Sequence, residues 1–307
     1  MIMKRLALVA ALWWGAVGCG RASAPGSSPP PSAPSAGGPA AALAAGGFRV
    51  PADSEIPDDQ VGAAIRRGRA ILDSTRDSLP EFVASNLRCT SCHLDHGTRP
   101  NASPWVGVYS RFPQYRSRNA KVNIIEDRIN DCFQRSLNGK PLPLGGREMT
   151  DIIAYLAFLS RGVPPPGDVP GQGFKRIDPL TPDLANGKLV YAGQCVRCHG
   201  ADGEGMKNPD PRGTPGYYPP LWGPGSFTIG AGMARLRTAA SFIRFNMPFD
   251  TPGTLTDQQA YDVAGYLVSR ARPDFAAKAL DWPNGDPPPD VAYPTNAARS
   301  AFPPQRR

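Results

Sequence analysis

Two pentapeptides, Cys89-Thr90-Ser91-Cys92-His93 and Cys195-Val196-Arg197-Cys198-His199, constrain this chain more than any other feature in it. A Cys-X-X-Cys-His unit places two thiols where they can form thioethers to the vinyl groups of a haem, and it offers the adjacent imidazole as the proximal iron ligand. Zinc binding or a thioredoxin-like dithiol would be the competing readings of one isolated copy. Here the motif is doubled, so the residues point to two covalent haem c groups, held by Cys89, Cys92 and His93 and by Cys195, Cys198 and His199. Domains of this kind need little core of their own, because the macrocycle fills most of it. Of six cysteines, four sit in the motifs, which argues against a disulfide framework.

The 307 residues suggest about two compact units, and the flanks of the motifs repeat accordingly. Before the first motif Val61, Ile65, Gly68 and Leu72 recur at helical spacing; after it, Ile152, Ile153, Leu156 and Leu159 fall on one helix face. The second copy has Leu184, Gly187 and Tyr191, then its motif, then Ala260, Tyr261, Ala264, Leu267 and Val268. Its last helix opens with a capping box, Thr256 to Gln259, and closes with Arg270, Arg272 and Pro273. The expected fold is all-α: two tandem cytochrome c-like domains at 48–162 and 181–273, joined by a Pro-rich linker at 163–180. In such domains a glycine of the first helix packs on an aromatic of the last, here Gly68 with Tyr155 and Gly187 with Tyr266.

The chain opens with Met1, Lys4 and Arg5, twelve uncharged residues and then small ones, the pattern of a secretory signal peptide over 1–24. Twelve apolar residues rise only about 18 Å as a helix, too short for a permanent span. Ala16-Val17-Gly18-Cys19 resembles a lipoprotein box, while Ala22-Ser23-Ala24 resembles an ordinary cleavage site. Export places the protein in the periplasm, with a lipid anchor on Cys19 as the only membrane link. An Ala/Pro/Ser/Gly stretch over 25–47 is expected to be a disordered tether. A Pro-rich tail over 274–307 either wraps a domain or hangs free.

The sixth iron position decides whether a haem only carries electrons or also does chemistry. In the second copy Met206 lies too close in sequence to His199. Met247, just before the last helix, is the expected ligand, and Met233 is the alternative. The first copy has no methionine in the matching loop. What stands there is Cys132, expected as the distal ligand, although the residues alone also allow a small buried side chain or a pairing with Cys19. Arg118, Arg128 and Arg135 flank it, with Arg111, Arg116 and Lys121 upstream. Positive charge favours the thiolate, and the same charge can hold an anion. A net charge of +8 with 8% aromatics suits small anions better than nucleic acid.

The run from Ile125 through Arg128, Cys132, Arg135 and Ser136 to Gly139, with 221–227 and Asn246-Met247-Pro248, resembles the dihaem thiosulfate dehydrogenases over about residues 50–275. The resemblance implies that two thiosulfate ions are joined into tetrathionate at a His/Cys-ligated haem, with electrons passing through a His/Met haem to an external small cytochrome c. It implies Cys132 as the distal ligand of the catalytic haem, Arg118 and Arg128 as substrate-binding residues, and Ser136 as a further site residue. Some members carry lysine where this chain has Asn246. Two other readings use the same motifs: a non-catalytic dihaem electron-transfer cytochrome, and a tetrathionate reductase. The mass of the mature N-terminus is expected to correspond either to a lipidated Cys19 or to cleavage after Ala24, and intact-protein mass spectrometry distinguishes the two.

Overall fold

The computed structural model describes residues 49–207 and 217–295; the expected leader, the tether, Cys19 and the end of the tail lie outside the described residues. In chain order the main elements are α1 (Gln60–Asp73), the strands β1 (Gln114–Arg116) and β2 (Lys121–Asn123), α2 (Ile125–Arg135) and α3 (Arg147–Leu159). The second half holds α4 (Leu184–Gln194), β3 (Met206–Lys207), β4 (Tyr217–Tyr218), α5 (Leu236–Asn246) and α6 (Asp257–Val268). Two antiparallel two-stranded ribbons are the only sheets among the described residues, so the all-α expectation holds. No described helix is long and apolar enough to cross a membrane.

Each half is organised by one helix crossing, α1 on α3 and α4 on α6, and the crossings repeat residue by residue. A Cβ at Gly68 would lie 1.9 Å from the Asp151 carbonyl oxygen, and one at Gly187 would lie 2.0 Å from that of Asp262. Only glycine lets the two backbones approach this closely. The residue before each glycine ties off the buried aspartate opposite: Arg67 bonds both Asp151 oxygens at 2.7 Å, and Asn186 donates to Asp262 at 2.6 Å. Both glycines meet backbone first, at Asp151 and Asp262, each one turn before the expected aromatic, and Gly187 also meets the Tyr266 Cβ at 3.0 Å. Tyr155 stands edge-on to Trp105 and donates its hydroxyl to the His96 carbonyl.

Local signals set the helix ends. Asp59 caps α1 by accepting from the Gly62 amide, and Thr256 and Gln259 exchange both bonds of the capping box. Arg272 donates to the Leu267 carbonyl at the end of α6. Of the expected core positions, Ile65, Gly68 and Leu72 are buried, while Val61 and Leu184, each in the first turn of its helix, are exposed.

The halves interpenetrate. Phe227, Ala231 and Ala234, from the loop before α5, are buried in the first core, and Thr228 gives both its amide and its hydroxyl to the Arg135 carbonyl. The linker is packed as well, with Gly171 and Gly173 accepting from Asn101 and Ser103. The described part of the tail wraps the protein. Asp281 bonds Arg135 of the first half, and Asp290 bonds Arg235 of the second. Gly68→Ala is expected to destabilise by about 1–3 kcal/mol, because the added methyl meets an immovable carbonyl. Gly193→Ala, with nothing within 4 Å of the added atom, is expected to gain about 0.5–1 kcal/mol from helix propensity alone; thermal melts of the two variants check the contrast.

Candidate functional site

Each motif opens onto its own cavity. The first, about 970 Å³, is lined by Cys89, Cys92, His93, Arg128, Cys132 and Ser136 among others; the second, about 1180 Å³, by Cys195, Cys198, His199 and Met247. Leu87, Cys92, Phe227 and Met233 line both cavities, so the two share a wall.

The donor groups fit a c-type haem in each. His93 Nδ1 lies 2.6 Å from the Ser103 carbonyl, and His199 Nδ1 lies 2.9 Å from that of Pro219. A carbonyl can only accept, so Nδ1 carries the proton and Nε2 keeps its lone pair for a metal. Burial pushes His93 down to about 4, which keeps the ring neutral at physiological pH. Burial also pushes Cys89 and Cys92 up to about 12 and Cys195 up to about 11, so these stand as neutral thiols, suited to addition across a vinyl group. Among the described residues no three His, Cys, Asp or Glu side chains converge as a group that could hold a bare metal ion.

Cys132 sits on α2 and lines the first cavity together with His93. One turn earlier, Arg128 Nη1 donates to Cys132 Sγ at 2.7 Å. The sulfur raises the Arg128 pKa despite its burial. Cys132 and Arg128 also face an adjoining cavity of about 840 Å³, whose wall includes Arg111, Gln114 and Arg116 from the 3-10 turn and the β1 strand. Arg116 is held below the usual arginine range by burial first and by the neighbouring Arg128 second. Like charges are thus crowded together beside a sulfur atom, and an anion would relieve them.

Ser136 lines the first cavity and gives its amide to the Cys132 carbonyl at 2.8 Å. Arg118 is not among the residues lining either cavity around Cys132. Its guanidinium is drawn to the Gly230 carbonyl at 2.7 Å and to the face of Trp282 at 4.6 Å. Arg111 and Arg116 face Cys132 in its place. The run of arginines announced them, but nothing in the spacing separated 116 from 118: Arg116 ends the β1 strand, while Arg118 lies in the turn that follows it. In the second half Met206 is exposed and lines neither cavity, while Met233 and Met247 both line the second. Asn246 is buried, donating to the carbonyls of Phe242 and Asn101.

The SoxA/TsdA cytochrome c domain model matches residues 82–164, and the cytochrome c model matches residues 184–271. These matches carry the two-domain fold and imply haem c binding. A thiosulfate dehydrogenase of Psychrobacter arcticus is 47% identical over 245 residues, 80% of this chain and 74% of that protein. Another, from Allochromatium vinosum, is 44% identical over 231 residues, 74% of this chain and 84% of that one. The solved thiosulfate dehydrogenase TsdBA of Marichromatium purpuratum superposes with a TM-score of 0.68 at 32% identity, covering 75% of this chain; the match spans half the length of that chain. With identity this high across most of both sequences, and both haem motifs inside matched domains, the chain belongs to the thiosulfate dehydrogenase family of c-type cytochromes.

Proposed function

We propose that this protein oxidises two thiosulfate ions to tetrathionate at Cys132 and passes the electrons out through the second domain. The observation that carries this reading is the 2.7 Å bond from Arg128 to the Cys132 sulfur, inside a cavity that the haem-motif histidine also lines. A structural cysteine needs no such partner. A sulfur held against a guanidinium is stabilised as a thiolate, able both to ligate iron and to attack another sulfur.

On this reading His93 and Cys132 hold the iron of one haem, and His199 and Met247 hold that of the other. Each haem, when bound, supplies a one-electron sink, and His/Met ligation gives the second the higher potential. The Cys132 thiolate and the outer sulfur of one thiosulfate form an S–S bond, giving Cys–S–S–SO₃⁻ and two electrons. The outer sulfur of a second thiosulfate then attacks the sulfur bonded to the sulfonate. Tetrathionate forms and Cys132 leaves as thiolate, so charge and atoms balance without a proton. The encounter of two dianions is the obstacle: about 4 Å apart at an effective dielectric of about 20 they repel by roughly 16 kcal/mol. Arg128 is assigned to hold the sulfonates together with Arg111 and Arg116, which line the same cavity as Cys132, whereas Arg118, named by the resemblance, lines neither cavity there. Guanidinium groups suit this because they stay charged and offer several donors to oxygen. Ser136, one turn beyond Cys132, can donate to the same anion.

The external acceptor is assigned as a small cytochrome c, and the compartment as the periplasm on the strength of the leader, with a lipid on Cys19 as the membrane tether. Two haems per polypeptide are expected by pyridine haemochrome assay and intact mass, and one in Cys195→Ala/Cys198→Ala. In anaerobic stopped-flow, thiosulfate is expected to reduce the oxidised wild-type haem, and Cys132→Gly to slow this by about 10²-fold or more while dithionite reduces both proteins equally. Wild-type haem that thiosulfate leaves oxidised, or a variant reduced as fast, would remove the assignment.

A further inference from the structure

Four arginines line the two cavities that the haem motifs open onto, and three of them have a partner for their charge. Arg88 lies 3.6 Å from Asp77, Arg128 donates to the Cys132 sulfur at 2.7 Å, and Arg197 bonds both oxygens of Asp250 at 2.7 and 2.9 Å. Arg272, in the second cavity, has no carboxylate within ion-pair distance among the described residues. Its bonds go to neutral groups, the Leu267 carbonyl at 2.7 Å and the Leu221 carbonyl at 3.3 Å, and its guanidinium lies 4.4 Å from the centre of the Phe227 ring. No aspartate or glutamate is among the residues lining that cavity. Burial pulls Arg272 down to about 10 with no acid to oppose it, so the side chain is still charged at neutral pH.

Capping α6 accounts for one of these bonds but not for how firmly the rest is built. The backbone on either side is pinned to the loop before α5, with the Gly223 amide on the Ala271 carbonyl and the Ile229 amide on the Pro273 carbonyl, both at 2.9 Å. Leu221, Phe227 and Leu267, the three residues that hold the guanidinium, all line the second cavity, so the cation is fixed at its wall. Two of its five N–H donors are used, and the others are open to an anion. A desolvated charge without a counter-charge is costly, and here the counter-charge has to arrive with the occupant of the cavity. A c-type haem brings it, because its propionates are carboxylates of the kind a guanidinium pairs with.

Taking the second cavity as the seat of the electron-transfer haem, as in the functional reading above, we propose that Arg272 is that haem's fixed counter-charge: it holds a propionate and raises the potential at which the haem accepts an electron. Positive charge beside a haem favours the reduced state, which carries one positive charge fewer. Phe227 lines both cavities whereas Arg272 lines only the second, so the cation stands on the second haem's side of the shared wall. The cations of the first cavity are offset by Asp77 and the Cys132 sulfur. The asymmetry therefore draws electrons toward the second domain.

The test is a redox titration of the full-length dihaem protein, without thiosulfate, comparing Arg272→Gln with Arg272→Lys. Gln can still donate to a backbone carbonyl but carries no charge, and Lys keeps the charge. Gln is expected to shift the second haem about tenfold toward the oxidised form at a given potential, a fall of about 59 mV for one electron, with the first haem within about twofold of wild type. Lys is expected to stay within about threefold of wild type at both haems. The propionate band in the resonance Raman spectrum is expected to move in Arg272→Gln. An unchanged second-haem potential in Gln, an equal fall at both haems, a Lys variant that falls as far as Gln, or an unmoved propionate band would each overturn the inference. Wild type with a single haem, or without methionine ligation at the second, would instead overturn the reading beneath it, so the two failures are distinguishable. Should Arg272→Gln fail to retain both haems, Arg272→Lys decides: a second-haem potential within about threefold of wild type supports the inference, and a tenfold fall overturns it.

Discussion

The glycine crossings, α1 on α3 and α4 on α6, are the contacts on which the rest of the architecture depends, because they set the frame around each cavity. They bring two backbones into contact where side chains would otherwise hold them apart, and a buried aspartate bonded across each one fixes the register. With α1 locked on α3 and α4 on α6, the motif that follows the first helix of each pair can only face inward.

The same frame explains how one cavity gains reactivity that the other lacks. Both have a histidine whose Nδ1 proton is taken by a carbonyl, and both have two thiols kept neutral by burial or placed on the wall beside it. The difference lies on α2, an element without a counterpart of the same chemistry in the second half. It carries a sulfur with a guanidinium on it, and a short hairpin adds arginines that crowd the same space. The second cavity has the thioether of Met247 and, shared with the first, that of Met233, beside Arg197 and Arg272. The first cavity alone sets a guanidinium against a free sulfur.

Much of this could be read from the sequence because the signals are local. The haem motifs, the capping box, the end of α6 and the glycine at each crossing are set by residues a few positions apart. Cys132 was also legible, by elimination among the cysteines and by its arginine neighbours. Three things were not. Arg116 and Arg118 differ by two positions, and a hairpin only a few residues long carries no periodicity that tells which one turns toward Cys132. Both glycine crossings are made on backbone, at Asp151 and Asp262, which a search for side-chain partners misses. The tail gave no sign of its destination, since Pro-rich composition forbids a helix but names no partner; its bonds to Arg135 and Arg118 join residues more than a hundred positions apart.

The common boundary of Leu87, Cys92, Phe227 and Met233 carries one more implication. Prosthetic groups seated on either side of it would be separated by single side chains instead of by solvent or a hinge. Charge could hop between them without any domain moving, and a two-equivalent oxidation could be divided between carriers that each accept one equivalent. An internal relay of that thickness frees the outer surface of the second domain to be shaped for its redox partner alone.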